Sequence, residues 1–190
     1  MSLIRADGVN FSYFGSLEPV FKNLNFTADT SWRTGLIGAN GSGKTTLFKI
    51  LCGEEKCGGK IVSNVRFVRF PFDADPYGSV GDVAARCSEA WRLARELSLL
   101  GLSKDIRYRP LGTLSGGERT KVMLALLFCT DGFPLIDEPT DSLDMRGRER
   151  LAEYLRGKQG YIVASHDRVF LDRCTDHTLA LSDGGAEVVA

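Results

Sequence analysis

With 190 residues, and 24 Lys and Arg set against 24 Asp and Glu, the chain has the length of one domain and no net charge. The charge balance excludes a broad electrostatic pull toward nucleic acid or anionic lipid, and 43% hydrophobic with 25% charged residues excludes a disordered or fibrous chain. The longest apolar run, Val122–Cys129, is far short of the roughly 20 residues of a membrane helix. Met1–Arg5 lacks the layout of a signal peptide, so a cytoplasmic protein with no membrane segment of its own is expected. Five cysteines and only two histidines give no zinc spacing, and the thiols are expected to be reduced, with no disulfide partner.

In chain order, Ile4 to Phe26 alternates in short runs broken by Gly15, Ser16 and Pro19, which predicts a small antiparallel sheet. Arg33 to Ile37 is a short apolar strand ending in a glycine-rich turn, and Thr45 to Cys52 is a helix stopped by Gly53. Lys60 to Phe70 reads as strands, and Pro71 to Gly81 as a loop. Between Val80 and Leu100 the residues Val83, Ala84, Cys87, Trp91, Ala94 and Leu97 recur at helical spacing, which predicts a helix with Trp91 in the core. Gly101 ends it. Ser115, with Glu118 three residues on, forms a capping box for a second helix through Val122, Leu124, Ala125 and Leu127. Phe133 to Ile136 is a buried strand, with Pro134 expected at its start because proline cannot donate to a sheet ladder. Arg146 to Leu155 is an amphipathic helix and Tyr161 to Ala164 another strand. This alternation predicts an α/β fold with a mainly parallel central sheet.

Gly38-Ala39-Asn40-Gly41-Ser42-Gly43-Lys44-Thr45 matches the phosphate-binding pattern G-x-x-x-x-G-K-[ST] and lies between a predicted strand and a predicted helix, the context that the pattern needs. Glycines let backbone N–H groups turn toward phosphate oxygens, Lys44 adds a cation, Thr45 offers a hydroxyl to magnesium, and the helix N-terminus favours negative charge. Asp137, at the end of an apolar strand, is placed to hold magnesium, and Glu138 directly after it to act as general base. Leu114-Ser115-Gly116-Gly117-Glu118 opens a helix with a hydroxyl and two glycines, a second phosphate site. His166 follows a predicted strand, at the end where open α/β sheets bind ligands.

Taken together, these motifs resemble the nucleotide-binding domain of the ABC ATPases almost end to end. The resemblance implies a P-loop NTPase core with an N-terminal antiparallel subdomain and a small helical lobe, in one cassette over 1–190 with the core at 1–72 and 114–190 and the lobe at 73–113. It implies ATP and Mg2+ as ligands. Gly38 to Thr46 would be the Walker A loop, Leu114 to Glu118 the signature, Asp137 and Glu138 the Walker B pair, Ser142-Leu143-Asp144 the D-loop and His166 the switch histidine. Tyr13, in Phe11-Ser12-Tyr13, would stack on adenine, and Ser115, Gly117 and Glu118 would close on the nucleotide of a second cassette, in the same chain of the native protein or in a homodimer.

Within the family, Trp91–Leu102, Tyr108-Arg109-Pro110, Thr120-Lys121-Val122 and His166–Asp172 look most like the ribosome-associated ABC-F branch, which includes antibiotic-resistance proteins. The implied function is then ATP hydrolysis by the first cassette of a ribosome-acting protein. The alternative, the ATPase subunit of an ABC membrane transporter, is disfavoured by the short stretch between Phe72 and Leu114. Two departures from the pattern bear on chemistry. Phe72 stands where the Q-loop glutamine is expected, which implies slow turnover, and Asp141-Ser142 stand where ABC-F chains carry Asn-His.

Overall fold

A strand buried on both faces sends successive side chains to opposite sides, and in this protein that alternation builds two cores. The computed structural model describes residues 2–84, 90–182 and 185–189. The chain begins with β1 (Leu3–Phe11) and β2 (Phe21–Asp29), which pair antiparallel, and β4 (Gly58–Ser63) adds to the other edge of β1. Between them come β3 (Arg33–Ile37) and α1 (Lys44–Leu51). After β5 (Phe67–Phe70) the lobe contains α2 (Val80–Ala84) and α3 (Ala90–Leu99), then α4 (Gly116–Cys129) and β6 (Phe133–Asp137) return to the core. The chain ends with α5 (Met145–Arg156), β7 (Tyr161–Ala164), α6 (Arg168–Cys174), β8 (His177–Ser182) and β9 (Gly185–Val189).

The larger sheet has the order β5-β6-β7-β3-β8-β9, parallel except for the β8–β9 hairpin. On one face Leu135, Ile162, Ala164 and Leu36 pack with α1 and the small antiparallel sheet. On the other, Ile136, Tyr161 and Val163 pack with α3, α4, α5 and α6. The expected α/β class, the antiparallel subdomain and the mainly parallel sheet are all present. The helix α4 is buried from Val122 through Leu127, as a helix that is hydrophobic on most sides must be. Pro134 is the second residue of β6 and is paired with Val68 of β5, whereas pairing with β7 begins only at Leu135. Proline therefore sits inside a central strand but at its first turn into the ladder. Among the described residues, no helix is long and apolar enough to cross a membrane.

The lobe corrects one expectation. Residues 85–89 of the predicted helix, Cys87 among them, and the side chain of Val83 lie outside the described residues. In α3 the buried face is Leu93, Glu96 and Leu97, continued by Leu100 just past its end, whereas Trp91 is 62% exposed. Residues three and four apart share a helix face, so once Leu93 and Leu97 face the core, Trp91 points away. The periodicity was real but its phase was set by tertiary contacts.

The same face places a carboxylate in the interior. Glu96 is only 4% exposed, and it accepts hydrogen bonds from the Tyr154 hydroxyl and the Lys158 ammonium, which also lies over the rings of Phe128 and Tyr154. Burial and the neighbouring carboxylate push the Tyr154 phenol far above its ordinary pKa, so it stays a donor. The cluster joins the lobe to α5. Lys158→Met leaves Glu96 uncompensated and is expected to cost roughly 3–5 kcal/mol. The midpoint of chemical denaturation measures this, and adding Glu96→Gln to the same chain should recover part of the loss.

Candidate functional site

The three parallel strands β6, β7 and β3 lie side by side, so the segments that leave their C-terminal ends share one edge of the sheet. From β3 the chain turns through 38–43 into α1. Gly43, the residue before α1, has φ +94°, and a Cβ there would lie 2.7 Å from Val20 and Phe21. Only glycine meets both demands. Lys44 Nζ donates to the carbonyls of Gly38 at 2.9 Å and Ala39 at 3.2 Å, so the cation is folded over the loop. Thr46 is buried, and its hydroxyl lies 3.0 Å from the Tyr13 hydroxyl, which ties the β1–β2 loop to α1. The Tyr13 ring meets Phe11 edge-on and is 40% exposed, leaving a free aromatic surface beside the loop. Asn40 and Gly41 are exposed at the loop tip, and Ser42 Oγ is buried without a partner.

At the end of β6, Thr45 Oγ1 donates to Asp137 Oδ2 at 2.7 Å. The second oxygen of Asp137, Oδ1, is buried and has no hydrogen-bond partner. Burial raises the pKa of this carboxyl, opposed by the Thr45 hydrogen bond and reinforced by the adjacent Glu138 charge. A half-buried carboxylate with one orphan oxygen beside a hydroxyl suits a hard divalent cation, which takes oxygen ligands. The residues present thus fit magnesium.

Glu138 has φ +44°, a left-handed backbone that a non-glycine residue rarely adopts, and Pro139 follows it. Its N–H is held by the Ala164 carbonyl at 2.9 Å. Strain of this kind persists where the surroundings over-determine it. The Glu138 carboxylate accepts the His166 backbone N–H at 3.2 Å, and its Oε2 lies 3.0 Å from His166 Nδ1.

The Ser115 turn packs on the segment that follows β6. Ser115 and Glu118 form the expected capping box, and the Ser115 backbone N–H and hydroxyl hold the Glu118 pKa below its ordinary value. A Cβ on Gly117 would meet the Ser142 carbonyl at 3.3 Å and Leu143 at 3.4 Å. Thr120 and Ser142 hydroxyls are 2.6 Å apart. The turn thus packs on residues 142–143, and its Glu118 carboxylate is spent on the cap. Asp144 likewise caps α5, accepting from the Gly147 N–H at 2.8 Å.

The β5–β6 register sets Phe70 opposite Ile136, so Phe72 leaves the sheet beside Asp137 and Glu138. Its ring nevertheless turns to the α4 side, where it packs on the larger core and lines a cavity of about 700 Å³ with Val68, Leu126 and Leu127. Sequence reasoning missed the buried pair Thr140 and Ser165, whose hydroxyls lie 3.2 Å apart. No spacing signals a contact between residues so far apart in the chain.

Residues 21–141 match a family model described as ABC transporter. The ribosome protection protein VmlR of Bacillus subtilis is 32% identical over 180 residues, a match covering 88% of this chain and 32% of that protein. The energy-dependent translational throttle protein EttA of Mycobacterium tuberculosis is 32% identical over 193 residues, covering 94% of this chain and 34% of that protein. The chain thus spans about a third of the length of these relatives. The fold is also that of a bacterial ABC transporter cassette solved as a dimer, with a TM-score of 0.79 at 20% identity, over 97% of this chain and 96% of the other.

The Asp137 environment gives a stability test with a defined sign. A carboxyl whose folded pKa is raised favours the folded state below its unfolded pKa, about 3.9 for Asp, and loses that contribution as pH rises through the folded value. Asp137→Asn removes the charge and keeps an acceptor for Thr45. Its melting temperature should exceed that of the wild type at neutral pH, with the advantage vanishing as pH falls toward 4, about the ordinary Asp value.

Proposed function

The chain belongs to the ABC transporter family of ATPases, and on that premise we propose that it binds MgATP at the Gly38–Thr46 loop and hydrolyses it between two cassettes, as the first cassette of a ribosome-acting ABC-F protein. The observation that carries this reading is the meeting of Lys44, Thr45, Asp137 and Glu138 at one edge of the parallel sheet. Lys44 exchanges the neutral carbonyls of Gly38 and Ala39 for phosphate oxygens, a charge-assisted and stronger bond. The Gly38–Gly43 backbone and the α1 N-terminus receive the rest of the negative charge, and the exposed face of Tyr13 receives adenine. Thr45 and Asp137 would hold a magnesium ion, which would supply positive charge beside the transferred phosphoryl group.

Glu138 accepts a proton from the attacking water, and His166 orients that water and the phosphate. Ser115 and Gly117 of one cassette close on the nucleotide of the other, with Asp144 fixing the α5 start beside that junction. Completion of the site by a second cassette is supported by the similar cassette solved as a dimer. The ribosomal assignment is supported by the relatives named for ribosome protection and translational throttling.

Titration with a fluorescent ATP analogue and magnesium tests the site. Lys44→Ala should bind roughly 10–100-fold more weakly, the loss of one charged hydrogen bond. Unchanged affinity would reject the phosphate cradle. Glu138→Gln should form an ATP-dependent dimer by light scattering and cosediment with ribosomes in ATP, and a failure to cosediment would reject the ribosomal assignment alone.

Phe72 bears on the rate. Its ring can neither accept nor donate a hydrogen bond, and it packs on the larger core. Steady-state phosphate release is therefore expected to be slow, and Phe72→Gln to raise it with ATP affinity unchanged.

A further inference from the structure

Thr140 and Ser165 are both buried, with hydroxyls 3.2 Å apart, and each is followed in the chain by an exposed residue, Asp141 and His166. That bond fixes two segments from different strand ends side by side. Arg148 reinforces it, donating to the Leu143 carbonyl at 3.2 Å and pairing with Asp167 at 3.3 Å. The segment after β6 and the turn that carries His166 are thus strapped into one unit.

His166 Nδ1 faces two carboxylates in this unit. Glu138 Oε2 lies at 3.0 Å and Asp141 Oδ1 at 4.0 Å. Glu138 Oε2 also takes the His166 backbone N–H, so the group that should receive a proton from water is already engaged twice by one residue. A carboxylate oxygen has two lone pairs, and two donors already on it leave none for a proton from water. Asp141 at 4.0 Å is outside hydrogen-bond range, yet its side chain is 63% exposed, free to rotate toward Nδ1.

We propose that Asp141 is a positioning residue, the alternate acceptor for the His166 Nδ1–H, which draws the imidazole off Glu138 and leaves one lone pair of Oε2 open to the attacking water. This rests on the ATPase reading above. A side-chain carbonyl and a carboxylate are both acceptors, whereas alanine offers neither.

The test has two arms on the full chain. In the first, turnover of Asp141→Ala should fall about tenfold in kcat with KM for ATP within about twofold, and Asp141→Asn should recover to within about threefold of the wild type. Wild-type or faster turnover in Asp141→Ala, or an Asn variant as slow as the Ala variant, overturns the proposal. The second arm needs no turnover. The chain has two histidines, so long-range 1H–15N spectra, recorded at a pH where the spectra themselves show neutral rings, resolve His166 once His177→Gln identifies the other. In Glu138→Ala, Nδ1 should remain protonated on Asp141, and adding Asp141→Ala should shift the ring toward the Nε2–H tautomer. No shift overturns the proposal. If the wild type releases no phosphate while the spectra behave as expected, the ATPase reading fails and the acceptor role of Asp141 stands.

Discussion

The hydroxyl of Thr45 and the carboxylate of Asp137 lie ninety-two residues apart in the chain and 2.7 Å apart in space. They meet because β7 lies between β6 and β3, in parallel register with both, so that the three strands end at one level. Everything else in the site is arranged around this contact. The loop of 38–43 enters α1 just before Thr45, Glu138 follows Asp137 directly, and His166 leaves β7 next to them. Had any of the three strands run antiparallel, its loop would open at the other edge of the sheet. The parallel order thus sets the position of the chemistry before any single side chain is considered.

Around that contact the protein accepts local costs. Glu138 holds a left-handed backbone before a proline, and Asp137 keeps an unpaired buried oxygen. Both are unfavourable in a merely structural turn. In the proposed reading each has a use, the first aiming a base and the second reserving a ligand position for a cation. The Glu96 cluster is a cost of another kind. It buries a carboxylate between the lobe and α5, supplied with a lysine and a tyrosine hydroxyl, and so fixes how the α3 helix sits on the core.

Much of this was legible in the sequence. Gly38 to Thr45, the Asp137-Glu138 pair and the Ser115–Glu118 capping box are local patterns, each demanded by backbone geometry or by a charge within a few residues. Strands and helices with strong periodicity fall where expected, from Arg33–Ile37 to Tyr161–Ala164. The face of α3 did not, because Trp91 and Leu93 are both apolar and a helix alone does not choose between them. Nor did residues 168–189 announce α6, β8 and β9. β8 is held by pairing to β3, β9 by pairing to β8 and α6 by packing on α5, rather than by patterns of their own.

The sequence by itself determined the kinds of chemistry on offer: a glycine loop that can wrap an anion, a lysine and a threonine at its end, and two carboxylates after an apolar strand. These are properties of neighbouring residues, which share a backbone and need no fold to be close. Only the tertiary structure decided which of them meet. The Thr140–Ser165 bond, the approach of Asp141 and Glu138 to one imidazole nitrogen, and the packing of Phe72 beside α4 all join segments from different parts of the chain. Their distances are set by sheet order and core packing, which depend on the whole chain at once.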